Sequence, residues 1–434
     1  MGYFFNDNVN IKNYARGKFA VNVATLMTGT IIAQAIQLGI SPILTRIYSP
    51  SEFGMFALYL SVVSLFSIIA TGRYEMAIML PAGDDDALNI MALSGLITIA
   101  VSGLSLLAVV LAKNRIALAL GDLKLAPWLY LVPCSIVLTG AYQIFNYWSN
   151  RNKQYKRLSA SRVFQYGSSS LANIGMGLGG WGVGGLIGGG VLGQSVATGI
   201  LGYQIWRDKN RIPGAISWEK IKSNARRYKD FPLINSLHAF MDMLQLSGTN
   251  FLITFYFGSV TLGLYTLTVR ILRAPLTLMG ASLSQVFLQK AAETYNSGQD
   301  LQKLVGRTIA GLFLAALPIF ILIYLFSPAL FSMVFGGRWQ AAGEYARILS
   351  PWLFLNFIVS PLSQIPIIVN KQKEVLYLGL FGNLLLVLSV LYGAVVAHSI
   401  QAGLYMLSAT QLAYLSGALV WLYKISGKRS EAYG

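Results

Sequence analysis

The sequence predicts an all-α membrane protein with twelve spanning helices divided six and six. Three observations predict it. Hydrophobic residues make up 55% of the 434 and charged residues only 11%, against about 25% charged in soluble domains. Apolar runs recur along the whole chain, each near the ~20 residues that a helix needs to cross a hydrocarbon core about 30 Å thick. The runs are continuous rather than alternating, so helices are favoured over barrel strands.

The spans follow in order. The first six are Phe19–Thr45, Phe53–Leu80, Ala87–Ala112, Leu125–Trp148, Val163–Gly180 and Gly184–Trp206. The last six are Phe231–Phe257, Val260–Leu288, Thr308–Phe335, Ala346–Val369, Val375–Ala397 and Ala402–Tyr423. The first run is much longer than a signal-peptide core and ends without a cleavage-like site, so it reads as a retained helix. The fifth and sixth are rich in glycine.

Lys and Arg set the orientation. With the N-terminus in the cytoplasm, the cytoplasmic segments hold 24 of the 33 basic residues. The opposite side holds five: Arg46, Lys113, Arg115, Lys124 and Arg338. Arg73, Arg270, Arg273 and Arg347 fall within spans. Both termini are thus expected in the cytoplasm. Asp84, Asp85 and Asp86 lie in a cytoplasmic loop against this trend, but acids count little in it.

The longest connection, Arg207–Asp230, is basic and carries Pro213 and Gly214. It divides the chain into an N-terminal lobe (1–206), a cytoplasmic linker (207–230) and a C-terminal lobe (231–434). A thin internal repeat supports the division: TRIYSPSEFG at Thr45–Gly54 aligns with TFYFGSVTLG at Thr254–Gly263, an offset of 209. Both copies join the first helix of a half to its second. Parallel repeats of this kind occur in transporters that work about a central site.

Several classes are excluded. The net charge of +17 sits in the connections, and no basic domain exists, so nucleic acid is not a partner. Cys134 is the single cysteine, so no internal disulfide is possible. Two histidines make no metal pattern, and no cofactor is implied. No nucleophile–base set or Walker loop appears, so energy must come from a gradient or downhill flux. The outer loops are too short for an extramembrane catalytic domain.

The sharpest feature is Arg270 with Arg273. Arg270 lies ten residues into the eighth span, about 15 Å along its axis. A mid-span Arg costs about 2.5–3.5 kcal/mol on insertion scales. Spacing of three puts both on one face with Thr266, Thr277 and Ser284. An interhelical ion pair would explain them; anion binding is favoured, because acids at similar depth are scarce and guanidinium matches phosphate oxygens. The competing partner is Asp242, on a polar face of the seventh span with Asn235, His238, Gln245 and Thr249. Asp242 and His238 read first as charge balance and second as an ion-sensitive site.

The first span has an uncharged stripe of Thr30, Gln34, Gln37 and Ser41, suited either to sugar hydroxyls or to helix–helix hydrogen bonds. In the second span Glu75 continues a stripe of Ser64, Ser67 and Thr71, while Arg73 points away and reads on its own as snorkelling to headgroups. Glu344 and Arg347 read as an interfacial pair. Gly175, Gly177 and Gly180 match GxGxxG, but no strand precedes them; close packing of the fifth and sixth helices explains them better.

Four stretches resemble the bacterial polysaccharide-transporter family: SPILTRIYSPSEFGMFALYLS (Ser41–Ser61), GRYEMAIMLP (Gly72–Pro81), GLIGGGVLGQ (Gly185–Gln194) and GLYTLTVRILRAPLTLMGASLSQVF (Gly263–Phe287). The family includes the O-antigen flippases and belongs to the superfamily of the multidrug-extrusion antiporters and the lipid II flippase. The resemblance implies two six-helix lobes related by a pseudo-two-fold, V-shaped around a central cavity. The implied cargo is an undecaprenyl-diphosphate-linked oligosaccharide, moved from the inner to the outer leaflet of the bacterial cytoplasmic membrane. Arg270 and Arg273 then become ligands of the diphosphate or of acidic sugars, and Arg73 and Glu75 join the substrate site. The first helix has Gln34 and Gln37, whereas the lipid II branch carries charges in that helix, which argues against lipid II. A monomer is expected, with a polysaccharide polymerase as a possible partner. Two rivals remain: a cation-coupled drug or metabolite antiporter, and a membrane-embedded polymerase or ligase, which the short outer loops disfavour.

Overall fold

The computed structural model describes the backbone of residues 6–208 and 216–427, with side chains except at 6–24, 26, 234, 237–238, 242, 245, 275–282 and 285–286. Among the described residues the fold is helical with no strand. Its α-helices are α1 (Asn6–Ile47), α2 (Pro50–Ile69), α3 (Tyr74–Ala77), α4 (Asp84–Ala119), α5 (Val132–Arg151), α6 (Tyr155–Leu178), α7 (Val183–Arg207), α8 (Trp218–Arg227), α9 (Ser236–Leu272), α10 (Ala274–Asn296), α11 (Leu301–Phe335), α12 (Gln340–Leu362), α13 (Ile365–Ile368), α14 (Gln372–Leu391) and α15 (Ile400–Ser426).

All twelve predicted spans are helical over most of their length. Among the described residues nine helices are long and apolar enough to cross a membrane. One of these nine, within α9, runs through two predicted spans. They meet at Gly258, where φ 82° and ψ 169° break the helix in a conformation only glycine adopts easily. α6 and α15 are long enough but too polar to be among the nine. Leu104, Leu111, Leu171 and Met333 are at least 67% exposed, which fits hydrocarbon rather than water. The chain is a multi-pass membrane protein.

Two predicted spans are interrupted. The second, expected to run to Leu80, stops at Ile69. Gly72 and Arg73 both take left-handed φ, 58° and 60°, and the chain turns before resuming as α3. The eighth is cut after Leu272, because Pro275, in the first turn of α10, has no N–H for the carbonyl four residues back. The sequence pattern alone reads both as continuous, since apolar residues flank each break closely on both sides.

Two compact units emerge: Met1–Tyr48 with Leu58–Gly248, and Ser49–Ala57 with Thr249–Gly434. In the first, α1 lies against α6 and α6 against α7. A Cβ on Gly29 would lie 1.9 Å from the Ser159 Oγ, and one on Gly189 would lie 1.9 Å from the Asn173 Oδ1. The glycine-rich stretch therefore serves close helix packing, as its composition predicts. Tyr48 Oη donates to the buried Asn173 carbonyl at 2.6 Å. At one end of this unit α8 buries Ile221 and the following Tyr228 in a cluster with Tyr74, Ile78, Ile90 and Trp148. In the second unit Phe287, Leu301, Val305, Leu362, Ile365 and Leu422 form a core. The Phe53 ring meets Trp339 edge-on at 5.0 Å, and Thr268 Oγ1 donates to the Ala342 carbonyl at 2.8 Å.

Candidate functional site

Arg73 and Glu75 face each other. Their sequence spacing on an unbroken helix separates them, but the turn at Gly72–Arg73 does not. The guanidinium lies 3.8 Å from the Glu75 carboxylate, which is 1% exposed. Thr71 Oγ1 donates to the other carboxylate oxygen. Arg73 is thus no snorkelling residue: it balances a buried charge. Its Nε is buried without a hydrogen-bond partner, and a left-handed non-glycine residue costs about 1–2 kcal/mol. A strained cation with a spare donor is the kind of feature that functional sites retain.

Arg270 sits in the last turn of α9 and Arg273 in the turn before α10. The break means that Arg270, Arg273 and Ser284 do not share one continuous helix face; the Thr277 side chain lies outside the described residues. Arg273 stacks over Trp352, 5.7 Å from the ring centroid, and its Nε is buried without a partner. A guanidinium stacked on indole keeps its in-plane donors for other ligands. The adjoining N-terminus of α10 adds a positive dipole end. The His238 and Asp242 side chains lie outside the described residues.

Gln34 and Gln37 are half-buried on α1. Gln34 Oε1 is buried without a partner, while Ser41 Oγ donates to the Gln37 carbonyl at 2.7 Å. Thr30, in the same stripe, accepts from the Arg162 guanidinium at 2.6 Å. Hydropathy, which starts the fifth span at Val163, leaves Arg162 in the connecting loop before it. α6 begins eight residues before the predicted Val163, which puts Arg162 inside the bundle. The polar first turns of α6 hid it, because a hydropathy window starts a span where the apolar run starts.

Two other arginines have structural partners that the sequence did not reveal. Arg151 donates to the Asp84 carboxylate at 3.0 Å and to the Ile78 and Pro81 carbonyls at 3.1 and 2.7 Å. Lys220 of α8 pairs with Asp85. Asp84 and Asp85 of the acidic triplet are accordingly anchors for neighbouring basic groups. Arg347 does not pair with Glu344: it donates through Nε to the Tyr324 carbonyl at 3.1 Å, while Glu344 accepts from Gln401 at 3.3 Å. The Tyr324 carbonyl is the one that Pro328, inside α11, leaves without a helical donor.

Residues 43–344 match the family described as polysaccharide biosynthesis protein. The chain belongs to that family. The resemblance carried by Ser41–Ser61, Gly72–Pro81, Gly185–Gln194 and Gly263–Phe287 falls almost wholly inside the matched stretch. None of the curated protein sequences matches the chain. Solved structures give this polysaccharide biosynthesis protein its fold. It is similar to a multidrug-resistance transporter of the MATE family of the MOP superfamily in an inward-facing conformation, with 14% identity, 94% of this chain, 96% of that chain and a TM-score of 0.64. An outward-facing conformation of such a transporter matches with 16% identity, 93% and 95% coverage and a TM-score of 0.56. A MOP-superfamily transporter from Pyrococcus furiosus, described as having a binding pocket of reverse polarity, matches with 15% identity, 93% and 95% coverage and a TM-score of 0.54. The family member therefore has the fold of the MATE transporters, with two lobes of six helices.

Proposed function

We propose that the protein is a flippase that moves an undecaprenyl-diphosphate-linked oligosaccharide, such as an O-antigen repeat unit, from the inner to the outer leaflet of a bacterial cytoplasmic membrane by alternating access. The observation that carries this reading is Arg273. It sits at a break in a span, stacked on Trp352, with a buried Nε that no group among the described residues accepts. Discontinuous helices in transporters present their ends to charged substrate groups, and arginine is well matched to phosphate oxygens. Arg270 stands one turn away, and family membership ties the chain to polysaccharide assembly. Arg73, Glu75, Gln34 and Gln37 contribute further contacts to the substrate. Asp242 and His238 supply charge balance or ion coupling. Both termini are cytoplasmic, the protein works as a monomer, and a polysaccharide polymerase is its downstream partner. This is transport and not catalysis.

Flipping of a labelled lipid-linked oligosaccharide in reconstituted vesicles tests the reading. Arg270→Ala and Arg273→Ala are each expected to slow it at equal expression; undiminished rates in both would overturn the anion site. The second reading, a cation-coupled antiporter for drugs or metabolites, draws on the multidrug transporters among the structural matches. It predicts ion-driven uptake of a soluble cationic dye in the same vesicles, with no movement of the lipid-linked sugar.

A further inference from the structure

α6 is a polar helix in an apolar bundle. Arg162, Gln165, Ser168, Ser169, Ser170 and Asn173 lie along it, and it packs between α1 and α7. Polar groups of a spanning helix turn away from lipid, because hydrocarbon offers an unpaired polar group no hydrogen-bond partner. Two of these find partners in the helical bundle: Gln165 Nε2 bonds Gln194 Oε1 of α7 at 2.5 Å, and Ser168 Oγ donates to the Phe164 carbonyl at 2.6 Å. Arg162 is different. It lies seven residues past the start of α6, about 10 Å along the axis. Its hydrogen bond is to a neutral hydroxyl, Thr30 Oγ1. Among the described residues no carboxylate pairs with it. One turn further along α1, Gln34 holds a buried Oε1 without a partner, so its amide orientation is not fixed by the protein. A full positive charge with spare donors beside an adaptable amide is an incomplete site.

We propose that Arg162, Thr30 and Gln34 form an oxyanion-binding subsite for a phosphate group carried on a lipid, a role separate from that of Arg273. The close α1–α6 approach at Gly29 and Ser159 holds Thr30 against the guanidinium, which fixes the fork so that its free N–H groups receive two oxygens of one phosphate. Gln34 turns its amide N–H toward the same group when it is present. The inference rests on the reading of the protein as a carrier of a diphosphate-linked lipid.

Farnesyl diphosphate serves as the probe, with binding measured on full-length protein in detergent by calorimetry. Arg162→Gln is expected to weaken binding about tenfold or more, Arg162→Lys less, and Gln34→Leu a few-fold. Arg162→Gln could fail to fold; Arg162→Lys and Gln34→Leu then decide, since both keep the helix contacts. Unchanged affinity in all folded variants overturns the subsite. Arg273→Gln separates the two ideas: loss of binding there alone sinks this subsite and leaves the transport reading, while loss in the Arg162 variants alone sustains the subsite and removes the role given to Arg273. A bilayer phospholipid is the other source of such a phosphate. Native mass spectrometry then shows phosphatidylglycerol retained by the wild type, lost in Arg162→Gln and not displaced by farnesyl diphosphate, which supports the subsite with a headgroup as its ligand.

Discussion

Gly54 and Gly263 pack backbone against backbone, each at the same place in its copy of the internal repeat. A Cβ on Gly54 would lie 1.8 Å from the Ser259 carbonyl oxygen, and a Cβ on Gly263 would lie 1.8 Å from the Pro50 carbonyl oxygen. The offset of 209 that maps Gly54 onto Gly263 also maps Pro50 onto Ser259. The contact is its own image, as two-fold-related surfaces are. It is a physical trace of the repeat, in which little more than the glycine itself is shared between the aligned stretches.

Gly54→Ala and Gly263→Ala are each expected to lower stability by about 1–3 kcal/mol, as overpacking does, because the obstacle is backbone and cannot rotate away. Gly39→Ala is the control: nothing lies within 4 Å of its Cβ position, and alanine is the better helix residue by about 1 kcal/mol. Thermal unfolding of the purified variants followed by size-exclusion fluorescence compares the three. A Gly54→Ala protein as stable as Gly39→Ala would refute the close contact.

Arg151 holds the segment between α3 and α4 through one carboxylate and three carbonyls. Arg151→Leu is expected to raise amide hydrogen exchange across 78–84, with Asp84→Asn much milder because the carbonyl bonds persist. The carbonyls need a donor wherever water is scarce. Equal exchange in the two variants would mean that the ion pair, and not the carbonyl bonds, does the holding.

Arg347 and Pro328 make a testable pair. Arg347→Met is expected to cost about 1–3 kcal/mol by leaving the Tyr324 carbonyl without a donor. In a Pro328→Ala background the alanine N–H restores the helical bond, and the cost of Arg347→Met should shrink. A double-mutant cycle on thermal stability measures the coupling. Strict additivity would show that the guanidinium does not cap that carbonyl.

These arginines mark the boundary of what the sequence reveals. Apolar runs locate all twelve spans, since crossing hydrocarbon constrains length and composition together. The glycine density of Gly175–Gly193 likewise foretells close packing of α6 and α7. Arg162 escaped because helix α6 starts in polar residues that hydropathy assigns to a loop. Arg347 was matched to Glu344, its neighbour in sequence, when its partner is a carbonyl 23 positions back. Arg73 was turned away from Glu75 by helical spacing that Gly72 interrupts. Periodicity reports faces of regular helices, and the candidate site occupies the places where helices stop being regular.

Arg73 and Glu75 allow backbone strain to be separated from charge. Arg73→Gly relieves the left-handed φ of 60°, a gain of about 1 kcal/mol. It also strips the buried Glu75 of its cation, and removing one member of a buried pair costs about 3–5 kcal/mol. The longer 3.8 Å separation and the 27% exposure of the Arg73 side chain shrink that cost through solvent screening. The single variant is therefore expected to be destabilised by less than a tight pair would imply. Adding Glu75→Gln removes the orphaned charge while keeping an acceptor for Thr71, so the double variant should recover stability and could exceed the wild type. Flipping assays on the same proteins divide structure from function: if the pair also contacts cargo, the double variant is stable and slow. A double variant no more stable than Arg73→Gly would show that Glu75 does not depend on Arg73 for its charge.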